Sequence, residues 1–129
     1  YLAGLLAHSA ETTYFLAPYI NSYKRFAKGT FAPTRIIWSV DNRTAGYRVC
    51  GAGSKGVRVE CRIGGSDINP YLAIATQLAA GLAGIEAGLE LPPATTGDVY
   101  KGRRALLPAS LRDARAAMMK SKMLLSAFG

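Results

Sequence analysis

The sequence predicts an α+β fold in which short antiparallel strands pack against helices. The chain has 129 residues and half of them are hydrophobic, which is enough for one domain with a buried core. Some segments repeat apolar residues at the three-and-four spacing of a helix, and others are short, β-branched and bounded by glycine. We predict helices at about 2–17, 70–89 and 110–124, and strands at about 36–41, 47–50 and 57–63.

Each predicted helix has recognisable limits. The first stops before Pro18, and it carries one histidine, His8, that we interpret as structural. The second begins with Asn69 as N-cap and Pro70 as first helical residue, and it ends before the Pro92–Pro93 pair. The third begins after Ser110, with Asp113 three residues later, in the pattern of a capping box.

The second helix combines large apolar residues with many alanines and glycines. We expect its large side chains to be buried: Leu72, Leu78, Leu82 and Ile85. Glycine in a helix interior costs roughly 1 kcal/mol relative to alanine. We therefore also expect its small residues to allow close packing against a neighbouring element.

The last two strands are expected to form a hairpin. Residues 47–50 and 57–63 flank the glycine-rich turn 51–56, which lacks the spacing of a Walker phosphate loop. Lys55 in this turn is still placed to reach a phosphate. In the second strand of the hairpin, Arg58, Glu60 and Arg62 share one face because side chains alternate along a strand, and Val59 and Cys61 are expected to face the core.

The positive charge is concentrated in the middle of the chain. Residues 24–62 contain nine basic and two acidic residues, a charge of +7 out of a formal net charge of +8. A pI near 9.8 indicates anionic partners such as nucleotides, nucleic acid or a membrane surface. Two cysteines without zinc-ligand spacing do not suggest a zinc site, and the composition is typical of a cytosolic protein.

The residues of the predicted hairpin suggest chemistry on anions. Guanidinium groups present paired donors to carboxylate or phosphate oxygens. Glu60, between two arginines, is a candidate magnesium ligand, because magnesium prefers oxygen ligands and substrate phosphates. Together these residues point to ATP-dependent chemistry on a carboxylic acid.

Several motifs resemble the glutamine synthetase family in order and spacing across nearly the whole chain. They are Asn21-Ser22-Tyr23-Lys24-Arg25, Asn42-Arg43-Thr44 with Arg48, Arg58-Val59-Glu60-Cys61-Arg62, and Asn69-Pro70-Tyr71-Leu72-Ala73 with the small-residue run that follows. The resemblance implies the C-terminal part of that catalytic domain, and both ends of the chain look truncated. It also implies a homo-oligomeric ring in the cytoplasm, with neither membrane nor nucleic acid as partner.

The resemblance implies a role for each matching residue. Arg25, Arg62 and Arg43 would bind glutamate, and Arg43 would also act in catalysis. ATP would be contacted by Arg43, Arg48, Lys55 and Arg58, although the turn that carries Lys55 is one residue shorter than in familiar bacterial enzymes. Glu60 would ligate Mg²⁺ or Mn²⁺, and the substrates would be glutamate, ATP and an amine. The 129 residues alone are expected to be inactive.

One position departs from the family pattern. Glutamine synthetases carry a glutamate on a flap six residues after the arginine of the first motif, and here that residue is Phe31. A phenyl ring cannot accept a proton from ammonium. Together with the Trp38–Thr44 run, this resembles the branch that makes γ-glutamylamines, so we predict an organic amine acceptor with Phe31 lining its pocket. The alternatives are an ammonia-using enzyme with a variant flap, and a basic nucleic-acid-binding module.

Overall fold

The computed structural model describes residues 1–129 and confirms an α+β architecture. Helices and strands pack around a core that contains Leu5, Leu16, Tyr47 and Ile63. The elements in chain order are α1 (Leu2–Ala7), α2 (Ser9–Leu16), a 3₁₀ helix (Ile20–Arg25), β1 (Trp38–Val40), β2 (Tyr47–Cys50), β3 (Arg58–Cys61), α3 (Pro70–Glu86), α4 (Leu111–Met118) and α5 (Lys122–Phe128).

The three strands form one sheet in the order β1-β2-β3. Strands β2 and β3 are antiparallel, which confirms the predicted hairpin. Strand β1 pairs with β2 in parallel, so the prediction of antiparallel strands was wrong for this pair. Parallel pairing usually needs a long crossover. Here only three residue pairs are in register, so the chain returns roughly 10 Å, a distance that residues 41–46 can span.

The predicted helix at 2–17 is two helices, α1 and α2, separated at His8. The Ser9, Thr12 and Thr13 hydroxyls donate hydrogen bonds to carbonyls one turn earlier, at Leu5, His8 and Ser9. Hydroxyls bonded in this way compete with the backbone ladder and bend helices. Hydroxyl back-bonding therefore accounts for a break that contains neither glycine nor proline.

The predicted helix at 110–124 is also two helices, α4 and α5. Ser110 caps α4 as predicted, with its hydroxyl accepting from the Asp113 amide at 3.1 Å. Ser121 caps α5 by accepting from the Leu124 amide at 3.0 Å, and it donates to the Glu11 carboxylate on α2. The Ser121 hydroxyl acts as an N-cap, so a new helix begins after this residue and α4 ends before it.

Helix α3 begins at Pro70 with Asn69 as its cap, as predicted, but it buries the opposite face from the one expected. Its buried residues are small: Ala73, Thr76, Ala80, Gly81 and Gly84. Its large apolar side chains are exposed: Leu72, Leu78, Leu82 and Ile85. None of the helices combines the length and apolarity needed to cross a lipid bilayer.

Close contact between α1 and α3 explains why the small face is buried. A Cβ added to Gly84 would lie 2.3 Å from the Gly4 Cα, and one added to Gly4 would lie 2.2 Å from the Ala80 carbonyl oxygen. The two backbones therefore touch, which larger residues would prevent. The predicted close packing of the small residues is confirmed.

We predict that Gly84→Ala destabilises the protein. Alanine gains about 1 kcal/mol of helix propensity, but the backbone clash forces α1 and α3 apart, for a net loss of roughly 1–3 kcal/mol. Urea unfolding measures the difference. Gly56→Ala is the matched control, because its Cβ would meet only the Ser54 Oγ at 3.7 Å. Equal stability of the two variants would contradict the packing argument.

Candidate functional site

The β2–β3 hairpin brings the predicted charged residues together around one carboxylate. Arg48 lies opposite Glu60 in the antiparallel register. The Glu60 carboxylate contacts Arg48 Nη1 at 3.2 Å, Arg58 Nη2 at 3.5 Å and Arg62 Nη1 at 3.7 Å. The predicted shared face of Arg58, Glu60 and Arg62 is confirmed, and three guanidiniums share one carboxylate.

The opposite face of β3 is only partly buried. Cys61 packs against the main hydrophobic core, as expected from the alternation. Val59 is exposed, so the expectation that it faces the core was wrong. Cys61 packs against helical residues of the core, whereas residues 52–59, toward the tip of the hairpin, are exposed.

Arg48 has a second carboxylate partner, Asp41, and the sequence motifs did not predict this pairing. Its Nη2 donates to the Asp41 Oδ1 at 3.2 Å, while its Nη1 donates to Glu60. Its Nε is buried and has no hydrogen-bond partner. The signal available in the sequence was the position of Asp41, the only acid besides Glu60 within the basic segment. Both terminal nitrogens of the Arg48 guanidinium are therefore bound by carboxylates of the protein.

The local charges shift the pKa values of the groups around Glu60. The Cys50 thiol, by hydrogen bonding, and the Arg48 guanidinium lower the pKa of Glu60. Burial raises the pKa of Cys50, and Glu60 raises it further, so this thiol stays protonated. Glu60 therefore remains an anion, and it is 30% exposed and so accessible from solvent.

Arg62 connects β3 to two loops. Its Nε donates to the Arg43 carbonyl at 2.8 Å, and its Nη2 lies 3.5 Å from the Phe31 carbonyl. The Phe31 side chain is 65% exposed, and its backbone has a φ of +57°, which is uncommon for a residue other than glycine. The segment that the resemblance identifies as a flap is thus beside Arg62 and Arg43.

Arg25 supports the end of β3 from the 3₁₀ helix. Its terminal nitrogens donate to the carbonyls of Arg62 and Ile63. Its guanidinium also lies 5.2 Å from the Phe26 ring centroid. Burial lowers the pKa of Arg25, whereas the nearby Asp67 raises it. Arg25 orients the backbone from which Arg62 projects, and its role in binding glutamate stays a prediction.

Three cations remain available to an anionic ligand. Arg43 and Lys55 are exposed, and their side chains form no hydrogen bond or ion pair within the chain. Arg58 is also exposed and has only the 3.5 Å contact with Glu60. The arginines of the site thus divide into Arg25, Arg48 and Arg62, which organise it, and Arg43 and Arg58, which can bind a phosphate or carboxylate.

The chain provides little of a metal site by itself. No group of three or more histidine, cysteine, aspartate or glutamate side chains is placed to hold a metal ion. Glu60 offers one anionic carboxylate, a ligand that magnesium accepts together with phosphate oxygens. The residues therefore fit a divalent cation as the source of one ligand, and the other oxygens must come from phosphates or from outside these 129 residues.

Residues 1–129 match the glutamine synthetase catalytic domain. The γ-glutamylethanolamide synthetase GlnA4 of Streptomyces coelicolor is 47% identical over 129 residues, which cover 100% of this chain and 28% of that protein. A type-1 glutamine synthetase of Dictyostelium discoideum is 43% identical over 128 residues, which cover 95% of this chain and 24% of that protein.

Solved structures agree with the sequence matches. A GmaS/ADP complex superimposes with a TM-score of 0.86 at 32% identity, covering 99% of this chain and 31% of that chain. The chain therefore spans less than a third of the length of each of these proteins.

We predict that Glu60→Gln destabilises the hairpin, because three guanidiniums then face each other without a shared carboxylate. The midpoint temperature of thermal unfolding should fall by a few degrees at about 10 mM salt and by less at about 500 mM, where the charges are screened. Glu86→Gln is the control, because Glu86 is exposed at the end of α3 and forms no ion pair.

The pH dependence of this effect has a definite sign. Since the pKa of Glu60 is lowered in the folded state, its stabilisation is present above the unfolded carboxyl pKa. It is lost as the pH falls through the lower folded-state value, where wild type and Glu60→Gln should converge. A difference that stays constant across this range would contradict the assignment.

Proposed function

Because this chain belongs to the glutamine synthetase catalytic-domain family, we propose that its protein joins the γ-carboxylate of glutamate to an amine at the expense of ATP. Members of the family are ATP-dependent carbon–nitrogen ligases. The observation that carries the proposal is the cluster of arginines around Glu60, with Arg43 and Arg58 left exposed beside it. Residues 1–129 would form the C-terminal portion of the catalytic domain, and the remaining acidic groups would come from elsewhere in the protein.

The arginines are suited to phosphoryl transfer from ATP to a carboxylate. This reaction depends on positioning and on stabilising charge that develops on the transferred group. Arg48 and Arg58 would face the nucleotide phosphates, together with Lys55 from the hairpin turn. The Arg43 carbonyl accepts a hydrogen bond from Arg62, so Arg43 lies beside the residue that would bind glutamate. From there its guanidinium would contact both the transferred phosphoryl group and the carboxylate that receives it.

Glutamate would bind to the Arg62 side of the cluster, between the flap and the 41–46 loop. Arg62 is anchored to both of these segments, and Arg25 holds the backbone beneath it. A divalent cation bound at Glu60 would neutralise phosphate charge. Transfer of the γ-phosphoryl group of ATP to glutamate would give ADP and γ-glutamyl phosphate. An amine nitrogen would then attack this acyl phosphate and release inorganic phosphate.

The acceptor is proposed to be an organic amine. The flap position holds Phe31, whose carbonyl lies beside Arg62 and whose exposed side chain has no group that could accept a proton. An apolar ring favours the carbon part of an alkylamine over ammonium. Support comes also from the similarity to a protein named γ-glutamylethanolamide synthetase. The similarity to a glutamine synthetase favours ammonia as the second candidate.

The proposal extends to the setting of the intact protein. We place it in the cytoplasm as a homo-oligomeric ring that uses ATP with Mg²⁺ or Mn²⁺. The family generally uses ATP and divalent metal ions, which supports this part of the proposal. The 129 residues alone would be inactive, because one carboxylate cannot hold the several metal ions that the reaction needs.

We expect the full-length enzyme to release ADP faster with an organic amine than with ammonia. Steady-state rates with glutamate and ATP should be compared for ammonia, ethanolamine, an alkylamine and a polyamine at one pH. The total concentration of each amine is set so that all free bases are present at equal concentration. The control omits glutamate, and no amine should then stimulate ADP release. A higher kcat/KM for ammonia would exclude the organic-amine proposal.

Replacing Phe31 should change the acceptor. We predict that Phe31→Glu lowers kcat/KM for the best organic amine about tenfold, because a carboxylate replaces apolar contact, and raises it for ammonia. Phe31→Leu is the matched control and should retain most of the organic-amine activity. Equal changes for all amines in both variants would show that Phe31 only packs the flap.

A further inference from the structure

We propose that Asp41 is a positioning residue of this site. It holds the Arg48 guanidinium in place, and Arg48 in turn orients the carboxylate of Glu60. The consequence for catalysis rests on the proposed function, whereas the chain of contacts from Asp41 to Glu60 does not. The motifs that carry the family resemblance assign no role to Asp41.

The backbone of Asp41 is in an unusual conformation. Its φ of +48° lies in the left-handed region, and Phe31 is the only other residue apart from glycine with a positive φ. Aspartate tolerates this region better than most residues do. The Asp41 amide donates to the Val49 carbonyl at 3.0 Å, so the residue stays attached to β2 while the chain turns away from β1.

This turn places the Asp41 carboxylate beside Arg48, the residue that precedes Val49 on β2. Strand β2 lies between β1 and β3, with Arg48 paired to Glu60 on the β3 side. Asp41 follows directly after β1 on the other side. The Arg48 guanidinium therefore bridges the two carboxylates. Its Nη2 lies 3.2 Å from Asp41, and its Nη1 lies 3.2 Å from Glu60.

The balance of charge explains why a second carboxylate is needed. Arg48, Arg58 and Arg62 all depend on Glu60, which has only two oxygens. Asp41 gives Arg48 a partner of its own, so Arg48 does not have to compete with the other two for both Glu60 oxygens. The Arg48 Nε is buried and has no partner, so the Asp41 and Glu60 carboxylates supply all the hydrogen bonds that hold this guanidinium.

Stability alone does not account for the contact. The Asp41 side chain is 61% exposed, and ion pairs that involve exposed groups contribute little to folding. The Arg48 side chain is only 19% exposed and touches the carboxylate that we assign to the metal. A loss of Asp41 should thus affect the geometry of the site more than the stability of the fold.

The test compares kcat of the full-length enzyme for Asp41→Asn, Arg48→Gln and the double variant. Asparagine tolerates the left-handed backbone, so Asp41→Asn removes charge without new strain. We expect kcat to fall about tenfold in Asp41→Asn, with the glutamate KM within about twofold of wild type and the thermal midpoint within about 2 °C. In the Arg48→Gln background the same change should lower kcat by less than about twofold, since Asp41 acts through Arg48.

Asp98→Asn is the matched control. Asp98 is also an exposed carboxylate in an ion pair, 3.7 Å from Lys101, and it lies outside the contacts of Glu60. Its substitution should leave kcat unchanged. An equal loss in Asp98→Asn, or a tenfold loss from Asp41→Asn in both backgrounds, would overturn the proposal.

A crystal structure of Asp41→Asn separates this inference from the proposed function. If the wild-type enzyme shows no glutamate- and amine-dependent ATP cleavage, the proposed function fails but the contacts can still be tested. We expect the Arg48 guanidinium to leave its wild-type position and the Glu60 carboxylate to rotate with it. Unchanged positions of both side chains would overturn the positioning role.

Discussion

The site depends on one shared carboxylate. Glu60 contacts three guanidiniums, from the strand opposite and from both neighbours on its own face. Without an anion between them, Arg48, Arg58 and Arg62 would repel one another at short range. With Glu60 in place, the cluster stays assembled while keeping an excess of positive charge, and an incoming phosphate or carboxylate can use that excess.

The fold supports this cluster from behind through a small number of buried contacts. Tyr47, one residue before Arg48, is fully buried, and its hydroxyl donates to the Leu5 carbonyl on α1. Ile63, one residue after Arg62, is equally buried and accepts a hydrogen bond from Arg25. Residues that carry the charge thus alternate with residues that anchor the strands. The charged groups are positioned by a core that they do not enter.

Close contact between two helices contributes to this support. The backbones of α1 and α3 touch at Gly4 and Gly84, and α1 also accepts the Tyr47 hydrogen bond from the sheet. The large side chains of α3 remain exposed on its other face. In the related proteins, more than two thirds of the chain lies outside the matched region. The chemistry of a complete ligase would need acidic groups from that remainder.

The sequence by itself determined the hairpin, the caps of α3 and α4, and the shared face of Arg58, Glu60 and Arg62, because these follow from local spacing and from alternation along a strand. Only the tertiary structure decided the parallel pairing of β1 with β2, the buried face of α3 and the partnership of Asp41 with Arg48. Each of these depends on which segments pack together in three dimensions, such as Gly4 against Gly84, and not on the spacing of residues within one segment. Periodicity identifies which faces a helix or strand has, but the neighbour that packs against it determines which face is buried.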